Sequence, residues 1–241
     1  LPFQTWNSML QTIEKTKSLK PDRIAFYSYA HVPWITGVGP RGFDENDLPP
    51  PDQKRELYEK GKKLLGELGY IEIGMDHFAL PTDSLYKSMQ QKTIHRNFMG
   101  YSSSSTQLMI GLGMSAISDS WYAFAQNEKS TEVYIKKVEQ GILPVARGHI
   151  LNEEDLVVRR HILNLMCFLG TSWKDEKMDL PEMTDIIYRL QEMQKDGLVV
   201  LENKYLKVTE KGRTFVRNVA MAFDLRMIRN QPESRIFSMT I

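Results

Sequence analysis

Apolar residues recur at helical spacing through "TWNSMLQTIEKTKSL" near the start of the chain, which predicts a helix. From Asp22 the pattern changes to "RIAFYSYAHVP", a β-rich run that ends before Pro33, and then to the long loop "WITGVGPRGFDENDLPPP". Ordered loops of that length are more often functional than incidental. In "PDQKRELYEKGKKLLGELGY", Asp52 is placed to cap a helix, Leu57, Leu64, Leu65 and Leu68 form its apolar stripe, and Gly69 can end it. The short strand "YIEIGM" follows directly. Residues 3–76 thus read helix, strand, loop, helix, strand, the repeating unit of a parallel α/β sheet or barrel. In such folds chemistry gathers where strands end. Ala30-His31 and Met75-Asp76-His77 fall at equivalent strand ends and are expected to point into one mouth.

Further along, "LMIGLGMSAIS" is apolar and glycine-rich, which predicts a buried strand approached closely by a ligand or another backbone. Its Gly111-x-Gly113-x-x-Ala116 spacing imitates a dinucleotide fingerprint, but no capped helix and no ribose-binding acid complete the unit. Beyond "GILPVARGHIL" the character changes. Asn152 followed by acidic residues starts a helix that ends near Gly170, and "LPEMTDIIYRLQEMQKDG" is a second. "LVVLENKYLKVTEKGRTFVRNVAMAFD" reads as strand, turn, strand, helix, so the C-terminal region resembles a winged-helix module. The sequence therefore predicts two domains, residues 1–148 and 149–241.

Composition narrows the function classes. With 31 Lys+Arg against 30 Asp+Glu the net charge is +1, and residues 151–241 carry 14 basic and 14 acidic side chains. No global field draws the chain to nucleic acid or an anionic membrane. The one cysteine, Cys167, falls on the apolar face of a predicted helix and reads as a buried thiol. One cysteine makes no intrachain disulfide and cannot by itself hold an iron–sulfur cluster, and no apolar run or leader pattern appears, so the chain is expected to be cytoplasmic.

His31 sits between a strand and Val-Pro, and reads either as a structural histidine or as a group at the loop mouth. Asp76 and His77, as neighbours on extended backbone, leave it on opposite sides. They can bind a polar cofactor group, relay a proton, grip a substrate, or simply pair with each other. His95-Arg96-Asn97 is a donor-rich cluster, and Arg96 offers the paired N–H geometry that carboxylates accept. No metal motif, nucleophilic triad or phosphate loop is convincing.

"PDRIAFYSYAHVP", "GYIEIGMDHFALPTD", "HRNFMGY", "GLGMSAIS" and "YAFAQN", in this order, resemble the oxygen-independent coproporphyrinogen III oxidase family of radical S-adenosylmethionine enzymes. "VTEKGRTFVRNVAMAFD" and "FSMTI" resemble the same family's C-terminal domain and terminus. The resemblance spans essentially the whole chain. It implies an α/β fold made of part of a radical-SAM (β/α) barrel followed by a small helical, winged-helix-like C-terminal domain. It also implies oxidative decarboxylation of two propionates of coproporphyrinogen III to give protoporphyrinogen IX in haem synthesis. A [4Fe–4S] cluster, S-adenosylmethionine and an electron donor serve that reaction, and reductive cleavage of the cofactor supplies the radical that abstracts a propionate hydrogen. By matching positions, Ala30 corresponds to a backbone contact of S-adenosylmethionine and Ile117 to a residue lining a second such molecule. Met99 stands where some members carry a Gln that contacts that second molecule. His31, Asp76, His77, Arg96 and Tyr101 lie in the family's motifs and are expected at the substrate or active-site mouth.

The family's CxxxCxxC loop and its glycine-rich segment find no counterpart in these residues, so the chain is expected to match the last part of the barrel and to be inert alone. An incomplete barrel leaves an edge and apolar surface open, which predicts self-association. Two alternative readings are a porphyrin- or haem-binding protein without catalysis and a nucleic-acid-binding winged-helix module.

Overall fold

The computed structural model describes residues 1–29 and 42–230. Ala30 and His31 lie outside the described residues, as does the C-terminal "FSMTI". Two compact units make up the chain, one from Leu1 to Gln90 with the segment from Arg226, the other from Gln91 to Leu225.

The first unit opens with helix α1 (Trp6–Leu19). The Thr5 side chain accepts from the Ser8 backbone N–H at 3.2 Å and Ser8 Oγ accepts from the Thr5 N–H at 3.0 Å. This reciprocal cap satisfies two otherwise orphaned donors. Helix α2 (Pro51–Glu67) begins with proline at its first position, where no N–H is needed. Asp52, expected as the cap, instead sits in the first turn, where its charge complements the helix dipole. Three short strands, β1 (Arg23–Ala25), β2 (Ile71–Gly74) and β3 (His77–Ala79), form a sheet of order β1-β3-β2, and helix α3 (Ser84–Gln90) follows. Both pairings are antiparallel. The core is Met9, Ile13, Leu57, Leu65, Tyr70 and Phe78. Gly61 lets α2 lie against the Phe26 ring, because a Cβ there would overlap it.

This arrangement corrects one expectation. β1 and β2 run in the same direction but are not neighbours, since the chain reverses at Met75-Asp76 and returns as β3 between them. "GYIEIGMDHFAL" is thus a hairpin rather than one strand ending at a loop.

In the second unit, β4 (His95–Asn97) and β5 (Gly100–Ser102) form a hairpin. An antiparallel sheet of order β6-β7-β8-β9 follows, built from Leu108–Met109, Ile117–Ser120, Ala123–Asn127 and Val145–Ile150, with helix α4 (Thr131–Glu139) between its last two strands. β9 spans residues 148 and 149, where the sequence placed a domain boundary. The expected buried strand over "LMIGLGMSAIS" is not formed. Its first two residues form β6 and its last two, Ile117 and Ser118, open β7, but the residues between them join no strand, and Leu108, Ile110, Leu112 and Met114 are exposed. The cause is local: Gly113 and Ser115 adopt φ of 96° and 60°, and the loop's carbonyls at Gly111 and Gly113 are bound by Asn127 Nδ2 at 3.0 and 2.9 Å. The backbone satisfies itself against β8 and leaves the ladder.

Helix α5 (Glu153–Phe168) starts at an Asn152 cap reciprocated by Asp155 and ends at Leu169 in the left-handed region. Strand β10 (Gly170–Ser172), helix α6 (Met183–Lys195), strands β11 (Val199–Glu202) and β12 (Tyr205–Val208) and helix α7 (Val216–Met221) complete the unit, and a short α8 (Leu225–Arg229) follows. The three strands pair in the order β10-β12-β11. Leu165, Ile186, Leu190, Leu206, Val219 and Phe223 are fully buried around them. Among the described residues no helix is long and apolar enough to cross a membrane.

Candidate functional site

Two groups of the expected site residues are placed, one in each unit. In the first, Gly74 pairs with His77, so Met75 and Asp76 are the two turn residues of the β2–β3 hairpin. Both have positive φ, 20° and 65°. Two-residue turns that follow the twist of their strands need this sign, and it is normally supplied by Asn-Gly or Asp-Gly. Here a methionine holds the first position, at a cost of about 1–2 kcal/mol, and an aspartate, whose short polar side chain tolerates the left-handed region better, holds the second. The turn is tied down on both sides. The Asp76 carbonyl accepts from the Phe26 N–H at 2.8 Å, and His77 Nδ1–H donates to the Met75 carbonyl at 2.7 Å. That bond fixes which ring nitrogen carries the proton in the neutral imidazole. The Asp76 carboxylate accepts from Tyr58, whose ring stacks on Phe26 at 5.6 Å. Burial first, then the negative field of Asp76 and Glu72, pushes the Tyr58 phenol far above its ordinary value, so it stays a donor at any physiological pH.

The second group is on the β4–β5 hairpin. Asn97 pairs with Gly100, leaving Phe98 and Met99 at the tip, and Asn97 Oδ1 accepts from the Met99 N–H at 2.9 Å. Met99 is 83% exposed. Arg96 lies opposite Tyr101, its guanidinium 4.7 Å from the ring centroid. The Tyr101 hydroxyl donates to the Met166 carbonyl of α5 at 2.7 Å, and burial pushes its pKa up to about 12. Arg96 Nη1 is buried without a hydrogen-bond partner. This pair therefore faces α5. Ile117, half-buried, opens β7, and its carbonyl lies close enough to Gly111 that a Cβ there would crowd it.

Sequence reasoning missed what lies beside this hairpin. Arg159 of α5 donates to Asp119 Oδ1 at 2.8 Å and to the Ser120 carbonyl at 3.1 Å, and its guanidinium lies 4.8 Å from the Trp121 ring centroid and 5.0 Å from that of Phe124. Phe98 meets Phe124 edge-on at 5.2 Å. Burial and the Arg159 charge lower the pKa of His95, against a smaller opposing pull from Asp119. The only sequence signal was the pair Arg159-Arg160 inside an apolar helix, which reads equally well as a solvated face.

An iron–sulfur cluster needs several thiolates. Cys167 is half-buried, and burial pushes its thiol up to about 11, away from the thiolate a cluster requires. Among the described residues no three His, Cys, Asp or Glu side chains are grouped to hold a metal. The residues present do not fit the cluster.

No protein-family model matches the chain. Similar proteins are found across its length. The oxygen-independent coproporphyrinogen III oxidase of Synechocystis is 33% identical over 250 residues, covering 100% of this chain and 53% of that protein. The Escherichia coli enzyme of the same name is 34% identical over 246 residues, again 100% and 53%. Coproporphyrinogen III oxidase, anaerobic 1, of Cereibacter sphaeroides is 36% identical, covering 93% of this chain and 50% of that one. Among solved structures, coproporphyrinogen III oxidase (HemN) from Escherichia coli, described as a radical SAM enzyme, superposes with a TM-score of 0.86 at 35% identity over 94% of this chain and 53% of that one. The chain spans about half the length of the curated relatives it matches.

Proposed function

We propose that a chain matching half of an oxygen-independent coproporphyrinogen III oxidase is the C-terminal portion of such an enzyme and works in the oxidative decarboxylation of coproporphyrinogen III to protoporphyrinogen IX. The observation that carries this is the joint match in sequence and structure, 33% identity over the whole chain to the Synechocystis enzyme and a TM-score of 0.86 over 94% of it to the Escherichia coli structure. On this reading residues 1–148 complete a radical-SAM barrel. Residues 149–241 form its C-terminal domain, and the order α5, β10, α6, β11, β12 supports a winged-helix-like description.

The cluster and S-adenosylmethionine supply the hydrogen-abstracting chemistry when bound, and the cluster's ligands come from outside these residues. What this chain contributes is position. Asp76, held by Tyr58 in a constrained turn, and His77, locked to the Met75 carbonyl, present a carboxylate and an imidazole of fixed orientation. Preorganised polar groups of this kind lose little entropy on binding. Met99 and Ile117 offer the apolar surface that an adenine ring or a thioether packs against, and in this role they fit S-adenosylmethionine as contacts. Arg96 and Tyr101 brace the hairpin that carries Met99 against α5.

The test is turnover. The complete polypeptide, reconstituted anaerobically with iron, sulfide, S-adenosylmethionine and a reductant, should convert coproporphyrinogen III to protoporphyrinogen IX with release of carbon dioxide. A reconstituted enzyme that cleaves S-adenosylmethionine but leaves coproporphyrinogen unchanged would overturn the assignment.

A further inference from the structure

We propose that Asn127 is a positioning residue for the second S-adenosylmethionine molecule: it pins the loop that follows β6 onto the start of β7 and so sets the surface around Ile117. The proposal rests on the oxidase reading and adds to it a residue outside the expected site. Asn127 is the last residue of β8 and is buried. Its backbone N–H donates to the carbonyl of Ala116, the residue before Ile117, at 2.9 Å. Its side-chain amide donates to the Gly111 and Gly113 carbonyls at 3.0 and 2.9 Å. One nitrogen thus serves two acceptors, which the isosteric aspartate, with acceptor oxygens alone, cannot do.

The rest of the loop is held in the same manner. The Gly111 N–H donates to Ser118 Oγ at 3.0 Å, that of Gly113 to the Tyr134 hydroxyl at 3.1 Å and that of Ser115 to the Glu128 carbonyl at 2.7 Å, while the Ser115 carbonyl accepts from Gln126 Nε2 at 3.1 Å. Residues 111, 113 and 115 therefore have both backbone groups bound although none lies in a strand. Between them Leu112 and Met114 are exposed, to 86% and 47%. Gly111 also lies so close to Ile117 that a Cβ there would come within 2.8 Å of the Ile117 carbonyl carbon and oxygen. A surface connection can leave its polar groups to water; this one is fixed at every second residue, with apolar side chains left outside.

A surface fixed in advance loses little entropy when a ligand settles on it. Leu112, Met114 and Ile117 supply apolar contacts of the kind an adenine ring packs against. Without the Asn127 amide the Gly111 and Gly113 carbonyls lose that donor, and the loop must lift from β8 to reach water, which shifts the apolar side chains relative to Ile117. Asn127 itself touches no ligand on this account. Its effect on binding passes through the loop.

Equilibrium dialysis of radiolabelled S-adenosylmethionine against the complete reconstituted enzyme, without reductant, counts the bound molecules and their affinities in the absence of turnover. The unaltered enzyme should bind two. Asn127→Asp, which keeps the shape and cannot donate, should weaken the second molecule about tenfold and leave the first unchanged, a selectivity that a general loss of stability would not produce. Tyr134→Phe removes only the acceptor of the Gly113 N–H; it should weaken the same molecule by less, and it decides the matter if Asn127→Asp does not fold. Ile117→Ala should weaken that molecule too, and adding Asn127→Asp to it should have little further effect, because both act on one contact. Equal weakening of both molecules, an unaffected second molecule, full additivity with Ile117→Ala, or a single molecule bound by the unaltered enzyme overturns the role of Asn127 and leaves the oxidase reading standing. An unaltered enzyme that binds no S-adenosylmethionine removes the oxidase reading and Asn127 with it.

Discussion

Asp76 carries two burdens that a single substitution can separate. Its backbone sits at φ 65° and its carboxylate receives the Tyr58 hydroxyl. Asparagine tolerates the left-handed region and keeps an acceptor oxygen, so Asp76→Asn should preserve the turn and change stability by less than about 1 kcal/mol. It removes the charge. In the complete enzyme we expect turnover to fall at least about tenfold, the scale on which a positioned carboxylate contributes. Activity assays paired with thermal unfolding decide it: unchanged turnover removes Asp76 from the mouth. Asp76→Leu should instead destabilise by about 1–2 kcal/mol, because a branched apolar side chain pays the full left-handed penalty. The sequence showed that Asp76 and His77 were unusual company for an apolar strand. It did not show the hairpin, because propensity assigns positive φ to glycine and asparagine, and Met75 is neither. Arg159 was hidden for a different reason: a guanidinium clamped between rings depends on residues far apart in the chain, Asp119 through Phe124 against α5.

Elements were easiest to foresee where local chemistry fixes them, as at the Asn152 start of α5 and the Asn203-Lys204 turn between β11 and β12. They were hardest where loop groups compete with the ladder, as around Gly113. The packing of α5 against β10 and α7 gives a pH signature of its own. His161 is fully buried, with ring nitrogens on Thr171 Oγ1 at 2.8 Å and the Met178 carbonyl at 2.7 Å, and stacks on Phe223 at 4.8 Å. Burial lowers its pKa from the ordinary 6.5, against smaller opposing effects of the Met178 carbonyl and Asp179. Below pH 6.5 the unfolded chain therefore binds a proton that the folded chain refuses. The stability contributed by neutral His161 is present above that pH and lost as pH falls toward the lowered folded value, with a slope of at most about 1.4 kcal/mol per pH unit. Urea unfolding of the unaltered chain and His161→Gln at pH 7.5 and 5.5 should show a smaller difference between the two pH values in the variant. His95 shifts in the same direction and is common to both proteins, so an identical pH dependence would show that His161 is not responsible. In the same unit, Gly212→Ala would drive a Cβ into the Leu198 carbonyl, and should cost about 1–3 kcal/mol in the same assay.

At the scale of the whole molecule the order of motifs revealed the family resemblance, yet neither composition nor periodicity could reveal that the chain matches about half of each relative. That fraction and the surface make a joint prediction. Leu108 in the edge strand β6 and Ile110, Leu112 and Met114 in the loop that follows it are all exposed, Leu112 to 86%. Natural edge strands are defended by charges, proline or a covering segment, and this row has none of the first two among its own residues. With one cysteine in 241 residues, the isolated chain has no set of thiolates for a cluster, so we expect it to be inert toward coproporphyrinogen even with S-adenosylmethionine and reductant supplied. We further expect it to self-associate through this row. Sedimentation velocity should show a mass that rises with concentration, and Ile110→Lys with Leu112→Lys should return it to monomer without changing its secondary structure, since both side chains already face solvent. A monomer at every concentration would mean that the row is too small or too broken by the glycines to pair. An associating chain that ignores both lysines would move the contact elsewhere, with Leu143 and Ile150, exposed to 81% and 83%, the next surface to charge.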